Sequence, residues 1–333
     1  MDKRQWRGVF PAITTPFHPD QSVDHDAIAA HVDWMIESGC AGIVPLGSLG
    51  EAATLSFSEK VDILATCVSA AAGRVPVVAG IAGLATSDCR ALAVEAERVG
   101  CEALMALPAY AYVGDWRETR AHYGAIIDAT PLSCMLYNNP IAYGTDVSAP
   151  QLRELVDVHE NLHAVKESSG DVRRVTHIRE VLGDRLPIFA GLDDMILEAI
   201  PVGATGWIAG LVNAFPVESV AVFELASAGS WDEATALYQW FLPLLRFDTV
   251  PKFVQLIKLA QAEVGRGTVT VRPPRFPVEG EELRSALAVI RAQLARRPDL
   301  SAYAVADPRG DGKGDVATAG ARRGARSAKR RFA

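Results

Sequence analysis

The chain has 333 residues, 49% of them hydrophobic, and a formal net charge of −7. That is enough apolar material for one large α/β domain or two average ones, and the acidic balance argues against a nucleic-acid partner. No apolar run reaches the roughly 18 residues that a membrane span needs.

Residues 8–17 (GVFPAITTPF) read as a strand. Residues 24–38 place Ile28, Val32, Met35 and Ile36 on one face of an amphipathic helix. An apolar run at 42–47 follows, then a loop, then a helix opened by Ser56-Phe57-Ser58-Glu59, the S-x-x-E spacing of a capping box. Further strands are predicted at 75–81, 103–108, 132–138, 162–168, 186–191 and 203–210. Helical patterns at 86–99, 116–130, 149–159, 172–182, 193–202 and 216–229 separate or follow them. Eight strand–helix units, at a spacing of about 25–30 residues, predict a (β/α)8 TIM barrel over residues 1–230. The strands are near-continuous apolar runs, as burial on both faces requires. The rival, an open doubly wound sheet, would carry a Gly-rich phosphate turn after the first strand. Pro16-Phe17-His18-Pro19-Asp20 stands there instead.

Helical patterns at 231–247, 251–264 and 279–296 predict a C-terminal helical extension over 231–300, with Arg272-Pro273-Pro274-Arg275 as a rigid connection. Residues 301–333 form a basic tail, rich in Gly, Ala, Arg and Lys from about Asp307, and are expected to be disordered. Within it, Gly310-Asp311-Gly312-Lys313-Gly314 lacks the spacing of a P-loop, and Arg322-Arg323 and Lys329-Arg330-Arg331 read as solvated charge. The five cysteines are scattered with no C-x-x-C, which favours reduced thiols. The N-terminal stretch has neither an h-region nor a cleavage site. A cytoplasmic protein without a signal peptide is expected. His159 and His163 straddle a helix end and a strand start, and no H-x-H or H-E-x-x-H occurs, so no metal or other cofactor is expected.

In a parallel barrel, chemistry sits at the C-terminal ends of the strands. Four features fall there. Gly47-Ser48-Leu49-Gly50-Glu51 follows the second predicted strand, Pro108-Ala109-Tyr110 the fourth, Tyr137-Asn138-Asn139-Pro140 ends the fifth, and Lys166-Glu167-Ser168-Ser169-Gly170 ends the sixth. A lysine at a strand exit is either a snorkelling surface cap or a nucleophile with a lowered pKa, and position alone favours the cap. Tyr137 alone reads as core, and Gly47, Ser48 and Gly50 alone as a turn. Together they suit Schiff-base catalysis. Burial would make Lys166 neutral, Tyr137 would move protons, and the Ser48-Leu49 turn would meet a substrate carboxylate with N–H groups and a hydroxyl.

These four stretches resemble the dihydrodipicolinate synthase / N-acetylneuraminate lyase family of class I aldolases, over roughly residues 6–298. The resemblance implies a (β/α)8 barrel with a C-terminal helical domain, assembled as a homotetramer, a dimer of dimers. It implies that Lys166 forms the Schiff base, that Tyr137 is the general acid/base, that Ser48 belongs to the proton relay and that Tyr110 joins the relay across a dimer interface. Gly191 and Ile208 match residues lining the substrate pocket.

The departures from the family pattern bear on substrate. Leu49 stands where a second threonine is usual, which removes a hydroxyl and keeps an N–H. Ala142 stands where dihydrodipicolinate synthases carry an arginine for a second carboxylate, which argues against that reaction. Gly191-Leu192-Asp193-Asp194 resembles the stretch with which sugar-acid lyases hold substrate hydroxyls, although Asp193 and Asp194 suit a plain helix N-terminus equally well. The set G-S-L-G-E, Y-N-N-P and K-E-S-S-G-D also resembles the 1-pyrroline-4-hydroxy-2-carboxylate deaminases of hydroxyproline breakdown. The expected function is therefore a cofactor-independent lyase acting on a small pyruvate-type 2-oxo acid or its cyclic imine. That deaminase is the specific expectation. The alternatives are an aldolase or dehydratase of a 2-keto-3-deoxy sugar acid or of 4-hydroxy-2-oxoglutarate, then 4-hydroxy-tetrahydrodipicolinate synthase, then a silent 2-oxo-acid sensor.

Overall fold

A computed structural model describes residues 1–300. The basic tail lies outside the described residues. Seven strands form one parallel sheet: β1 (Gly8–Pro11), β2 (Val78–Ile81), β3 (Ala103–Ala106), β4 (Ser133–Asn138), β5 (Leu162–Glu167), β6 (Ile188–Ala190) and β7 (Gly206–Ala209), in the order β1-β7-β6-β5-β4-β3-β2. Every strand residue is buried except His163, as the apolar runs require.

The predicted second strand, 42–47, is not a regular strand. Pro45 lacks an N–H for a ladder and Leu46 adopts a left-handed φ of 64°. What remains are parallel bridges of Val44 to Ala12 and of Ile43 to Val77. Val44 N donates to Pro11 O at 2.9 Å and Val78 N to Ile43 O at 2.8 Å, so this segment hydrogen-bonds to both edges of the seven-stranded sheet.

Helices follow the strands as the pattern predicts: α1 (His25–Glu37), α2 (Phe57–Ala71), α3 (Thr86–Arg98), α4 (Trp116–Ile127), then the short α5 (Pro140–Tyr143), then α6 (Ala149–Val156), α7 (Arg173–Leu182), α8 (Ile196–Ala199) and α9 (Pro216–Ser227). On α1, Ile28, Val32 and Met35 are fully buried. The capping box opens α2: Ser56 Oγ accepts from Glu59 N at 3.3 Å and Glu59 Oε2 accepts from Ser56 N at 2.8 Å. The predicted helix at 193–202 is broken into a 3-10 turn, Asp193–Met195, and α8, because Asp194 leaves helical geometry.

Three further helices, α10 (Trp231–Leu245), α11 (Phe253–Glu263) and α12 (Gly280–Leu294), follow α9. α9 packs on β1 and β7 from one side and on α10 from the other, so it is buried almost all round and lacks an amphipathic pattern. Between α10 and α11 a 3-10 turn, Arg246–Thr249, brings the chain back over the strand ends.

One long-range contact ties these helices to the sheet. Lys258 of α11 is 2% exposed and Glu51 is fully buried. Lys258 Nζ donates to Glu51 Oε1 at 2.6 Å, Thr15 O at 2.8 Å and Thr270 O at 2.8 Å, and Arg272 N donates to Glu51 Oε2 at 3.1 Å. Removing one partner leaves an uncompensated buried charge. Lys258→Met is expected to lower the unfolding free energy by about 3–5 kcal/mol in urea denaturation. The double variant with Glu51→Gln is expected to lose less than the sum of the single losses, and additive losses would show that the pair is not coupled.

Candidate active site

The next-to-last residue of β5, Lys166, lies inside the mouth of the curled sheet. Its side chain is 6% exposed, and Nζ sits 4.0 Å from the centre of the Tyr137 ring. The register pairs Tyr137 with Lys166 directly across β4 and β5. Burial lowers the Lys166 pKa below its ordinary value, while Asp248, Tyr143 and Asp193 pull it back up. The neighbouring Gly191 must be glycine, since a Cβ there would fall 2.8 Å from Lys166 Cε and 1.9 Å from Ser168 Oγ. Behind the lysine, Glu167 accepts from Ser169 N at 2.6 Å and from Asn138 Nδ2 at 3.0 Å, and Asn138 Oδ1 accepts from Val147 N at 2.9 Å. This network holds the β4 and β5 ends together.

Lys166 opens into a cavity of about 620 Å³ whose wall includes Gly47, Ser48, Leu49, Tyr110, Tyr137 and Lys166, and also Gly191 and Ile208. The structure thus gathers the four predicted stretches around one space. The Tyr137 hydroxyl accepts from Asn139 Nδ2 at 2.8 Å, and burial pushes its pKa up to about 12. At the turn, Leu46 and Glu51 both take left-handed backbone conformations, and a Cβ on Gly50 would lie 3.0 Å from Ile13 O. Among the described residues, the N–H groups of Ser48 and Leu49 donate to no protein acceptor. They are free to meet an anion.

Tyr143 is a site residue that the sequence reading missed. Pro140 at the first helical position, Asn139 capping Ala142 N at 2.9 Å and left-handed Gly144 form the single turn of α5. That turn carries Tyr143 into the cavity, where its hydroxyl is hydrogen-bonded to Ser48 Oγ. Its ring stacks on Tyr110 at 5.5 Å and meets Tyr137 edge-on at 6.0 Å. Burial pushes Tyr143 up to about 12 and raises Tyr110 as well. Tyr110 therefore lies in the cavity of its own chain, against Tyr143. The signal for Tyr143 was the Pro-x-x-Tyr-Gly spacing, a capped helical turn directly after the strand.

The acidic pair 193–194 is not in the cavity wall. Asp193 is fully buried, and its carboxylate accepts from Trp207 Nε1 at 3.0 Å, Gly210 N at 3.0 Å and Leu211 N at 2.6 Å. It ties the β6 turn to the β7 end and has no oxygen to offer a ligand. Asp194 is half-buried, with its backbone carbonyl accepting from Tyr238 OH, and burial raises its carboxyl above the usual range. The carboxyl that does line the cavity is Asp248, on the 246–249 turn, together with Arg275 from the Pro-Pro connection. Neither has a local sequence signature, because each reaches the mouth through the packing of α10 and α11.

Residues 5–293 match the model of the dihydrodipicolinate synthetase family. The 4-hydroxy-tetrahydrodipicolinate synthase of Sorangium cellulosum is 34% identical over 295 residues, covering 88% of this chain and 98% of that protein. The synthase of the same name from Rhizobium meliloti is 32% identical over 269 residues, 81% of this chain and 92% of that one. Among solved structures, the 4-hydroxy-tetrahydrodipicolinate synthase of Methylacidiphilum fumariolicum superposes with a TM-score of 0.82 at 30% identity, over 87% of this chain and 97% of its own. A putative dihydrodipicolinate synthetase from Pseudomonas aeruginosa gives 0.82 at 30%, over 86% and 99%. With the family model spanning nearly all the described residues, the chain belongs to the dihydrodipicolinate synthetase family of class I, Schiff-base-forming lyases.

Proposed function

We propose that this chain, folded as a (β/α)8 barrel whose eighth stave is the bridging segment at 41–45, uses Lys166 to form a Schiff base with a pyruvate-type 2-oxo acid or its cyclic imine. Its best specific reaction is the deamination of 1-pyrroline-4-hydroxy-2-carboxylate. The observation that carries the reading is the buried Lys166 over the Tyr137 ring, in one cavity with the free N–H groups of Ser48 and Leu49. Burial supplies the neutral amine that attack on an imine needs. The substrate carboxylate then lies on the 47–49 turn, and Tyr137, Tyr143 and Ser48 pass protons between C2, C3 and nitrogen. Lys166 adds to the ring imine and opens the ring, the enamine expels the 4-hydroxyl, and hydrolysis releases ammonia and the 2-oxo acid.

The relatives bear the name of a synthase, but Ala142 supports a different second half of the reaction. It leaves no guanidinium at its position for a second carboxylate. A second reading rests on Arg275 in the cavity wall, 3.8 Å from Glu51 Oε2. Turned toward the cavity, it would take a distal carboxylate and favour 4-hydroxy-2-oxoglutarate as an aldolase or dehydratase substrate. Exposed Leu84, Tyr112, Val113 and Ile141 support a homotetramer, and light scattering should give four chain masses. The buried, unpaired cysteines suit a reducing compartment such as the cytoplasm.

Borohydride reduction in the presence of pyruvate should give an adduct at Lys166 by peptide mass spectrometry, and Lys166→Arg should give none. An unmodified Lys166 in the native enzyme would sink the Schiff-base reading. Ammonia release from 1-pyrroline-4-hydroxy-2-carboxylate tests the specific reaction. Its absence alongside cleavage or dehydration of 4-hydroxy-2-oxoglutarate would replace the deaminase by the second reading. Tyr143→Phe should slow exchange of the pyruvate methyl protons with D2O about 100-fold by NMR, since it removes the hydroxyl next to Ser48. Exchange within threefold of native would exclude Tyr143 from the relay.

A further inference from the structure

We propose that Asp248 is the acid that serves the hydroxyl on the fourth carbon of the substrate, giving it the proton with which it leaves as water. The inference rests on the Schiff-base reading above and adds a residue for the leaving-group step.

Its basis is the make-up of the cavity wall. Among the described residues Asp248 is the only carboxyl there. It is half-buried, its open side toward the cavity, on a turn held against the 193–195 turn. The backbone N–H of Asp193 faces its carboxyl and lowers its pKa. The β7 end is shaped to admit it: a Cβ on Gly210 would sit 2.5 Å from Asp248 Oδ1, and Gly210 lines the same cavity. The sequence offered Asp193 and Asp194 for the substrate hydroxyl, but Asp193 is used up by three N–H donors. Asp248 is the carboxyl left to do it.

The other proton-bearing groups in the wall are poor acids near neutrality. Tyr137 and Tyr143 are pushed up to about 12, and burial raises Tyr110 as well. Burial raises Asp248 to about 6, with Lys166 pulling it down. A general acid works best with a pKa near the operating pH. The titratable groups that act on it are Lys166 and Tyr137 from the strands and Asp193 and Asp194 from the adjacent turn, and Arg275 lines the same cavity. Once Lys166 is part of a neutral enamine, the cation that lowers Asp248 is gone, so the carboxyl is best protonated at the step that needs the proton.

In that step the enamine nitrogen pair forms the C=N bond of the iminium, the C2=C3 pair moves to C3=C4, and the C4–O bond breaks. The oxygen takes the Asp248 proton and leaves as water. The carboxylate that remains faces the newly formed cationic iminium, which stabilises it. Proton transfers from C5 to C3 and from the amine nitrogen to C4 then turn the C3=C4 alkene and the C5 amine into a C5 imine. Two waters are consumed in hydrolysing that imine and the lysine iminium, so one net water is taken up as ammonia and the 2-oxo acid are released.

The test uses Asp248→Asn and Asp248→Glu in the full chain, with two readouts. Pyruvate trapping at Lys166 by borohydride reports folding and Schiff-base formation. Ammonia release from 1-pyrroline-4-hydroxy-2-carboxylate reports the elimination. Asp248→Asn is expected still to form the pyruvate adduct, at lower yield because the carboxylate also supports the Lys166 iminium, and to release ammonia about 100-fold more slowly per adduct formed. The acid form exists below the folded pKa and is lost above it, so native kcat should fall as pH rises through that region. The asparagine variant should lack this limb, and Asp248→Glu should restore part of the rate with the limb shifted. Ammonia release by Asp248→Asn within threefold of native overturns the proposal. So does loss of pyruvate trapping in both variants, which would place the carboxyl on Lys166. If the native enzyme traps pyruvate but dehydrates a 4-hydroxy-2-oxo acid in place of the pyrroline, the variant contrast is read on that dehydration: a loss of about 100-fold in Asp248→Asn supports the proposal, and a rate within threefold of native overturns it. If it eliminates water from neither, the deaminase reading and the role of Asp248 both fall, while the Schiff base stands.

Discussion

The site depends on a buried ion pair between parts of the chain some two hundred residues apart, Glu51 and Lys258. Taking two ions out of water costs several kcal/mol each, and Coulomb attraction offsets this only when the remaining protons and lone pairs are also satisfied. Here they are: Lys258 has two carbonyl acceptors besides Glu51, and Glu51 has the Arg272 amide besides Lys258. The consequence is positional. Glu51 terminates the turn in which the Ser48 and Leu49 N–H groups have no protein acceptor, and Lys258 belongs to the C-terminal helices. The turn therefore cannot shift without moving α11, and those helices are a wall of the site. They deliver Asp248, Phe253 and Arg275 to the same cavity.

A second balance governs reactivity. Lys166 must be buried enough to lose its proton and yet keep a carboxylate near enough to stabilise the iminium once formed. Desolvation and Asp248 act in opposite directions on it. Full burial with no counter-charge would leave the amine neutral but make the iminium costly. A carboxylate in direct contact would keep the lysine protonated. The tyrosines stacked beside it give a third component, since ring faces attract a cation without carrying a charge. The face of the Tyr137 ring lies 4.0 Å from Nζ, where on the proposed Schiff-base reading it would attract the iminium.

How much of this the sequence shows follows from how local each feature is. Lys166 and Tyr137 were legible because consecutive parallel strands put the residues near their C-terminal ends at one level, and the register pairs them. The Ser56–Glu59 box was legible because a cap is a four-residue event. The second predicted strand was overread: 42–47 is apolar enough for a strand, but Pro45 and left-handed Leu46 reduce it to two bridges. Asp193 has the composition of a ligand site, and only the tertiary position of Trp207 and of the Gly210 and Leu211 amides shows that its oxygens are taken. Tyr143 depends on a one-turn helix too short for any periodicity. Asp248 depends on the packing of α10 and α11, which no window of sequence contains.

These differences divide the cavity into two halves with different origins. The half that carries out Schiff-base chemistry comes from strand ends and the turn tied down by Glu51, where a shift of one residue would send a side chain to the opposite face of the sheet. The half facing the rest of the substrate comes from α5, the β6 and β7 ends and the C-terminal helices, through Ala142, Gly210, Asp248 and Arg275. Side chains there are held by packing and have no ladder register to preserve. An arginine exchanged for Ala142, or a neutral residue for Asp248, changes the charge seen by the distal carbons while the Tyr137–Lys166 register stays as it is. In this chain the distal half has no guanidinium at 142 and a carboxyl at 248 that burial raises and Lys166 lowers.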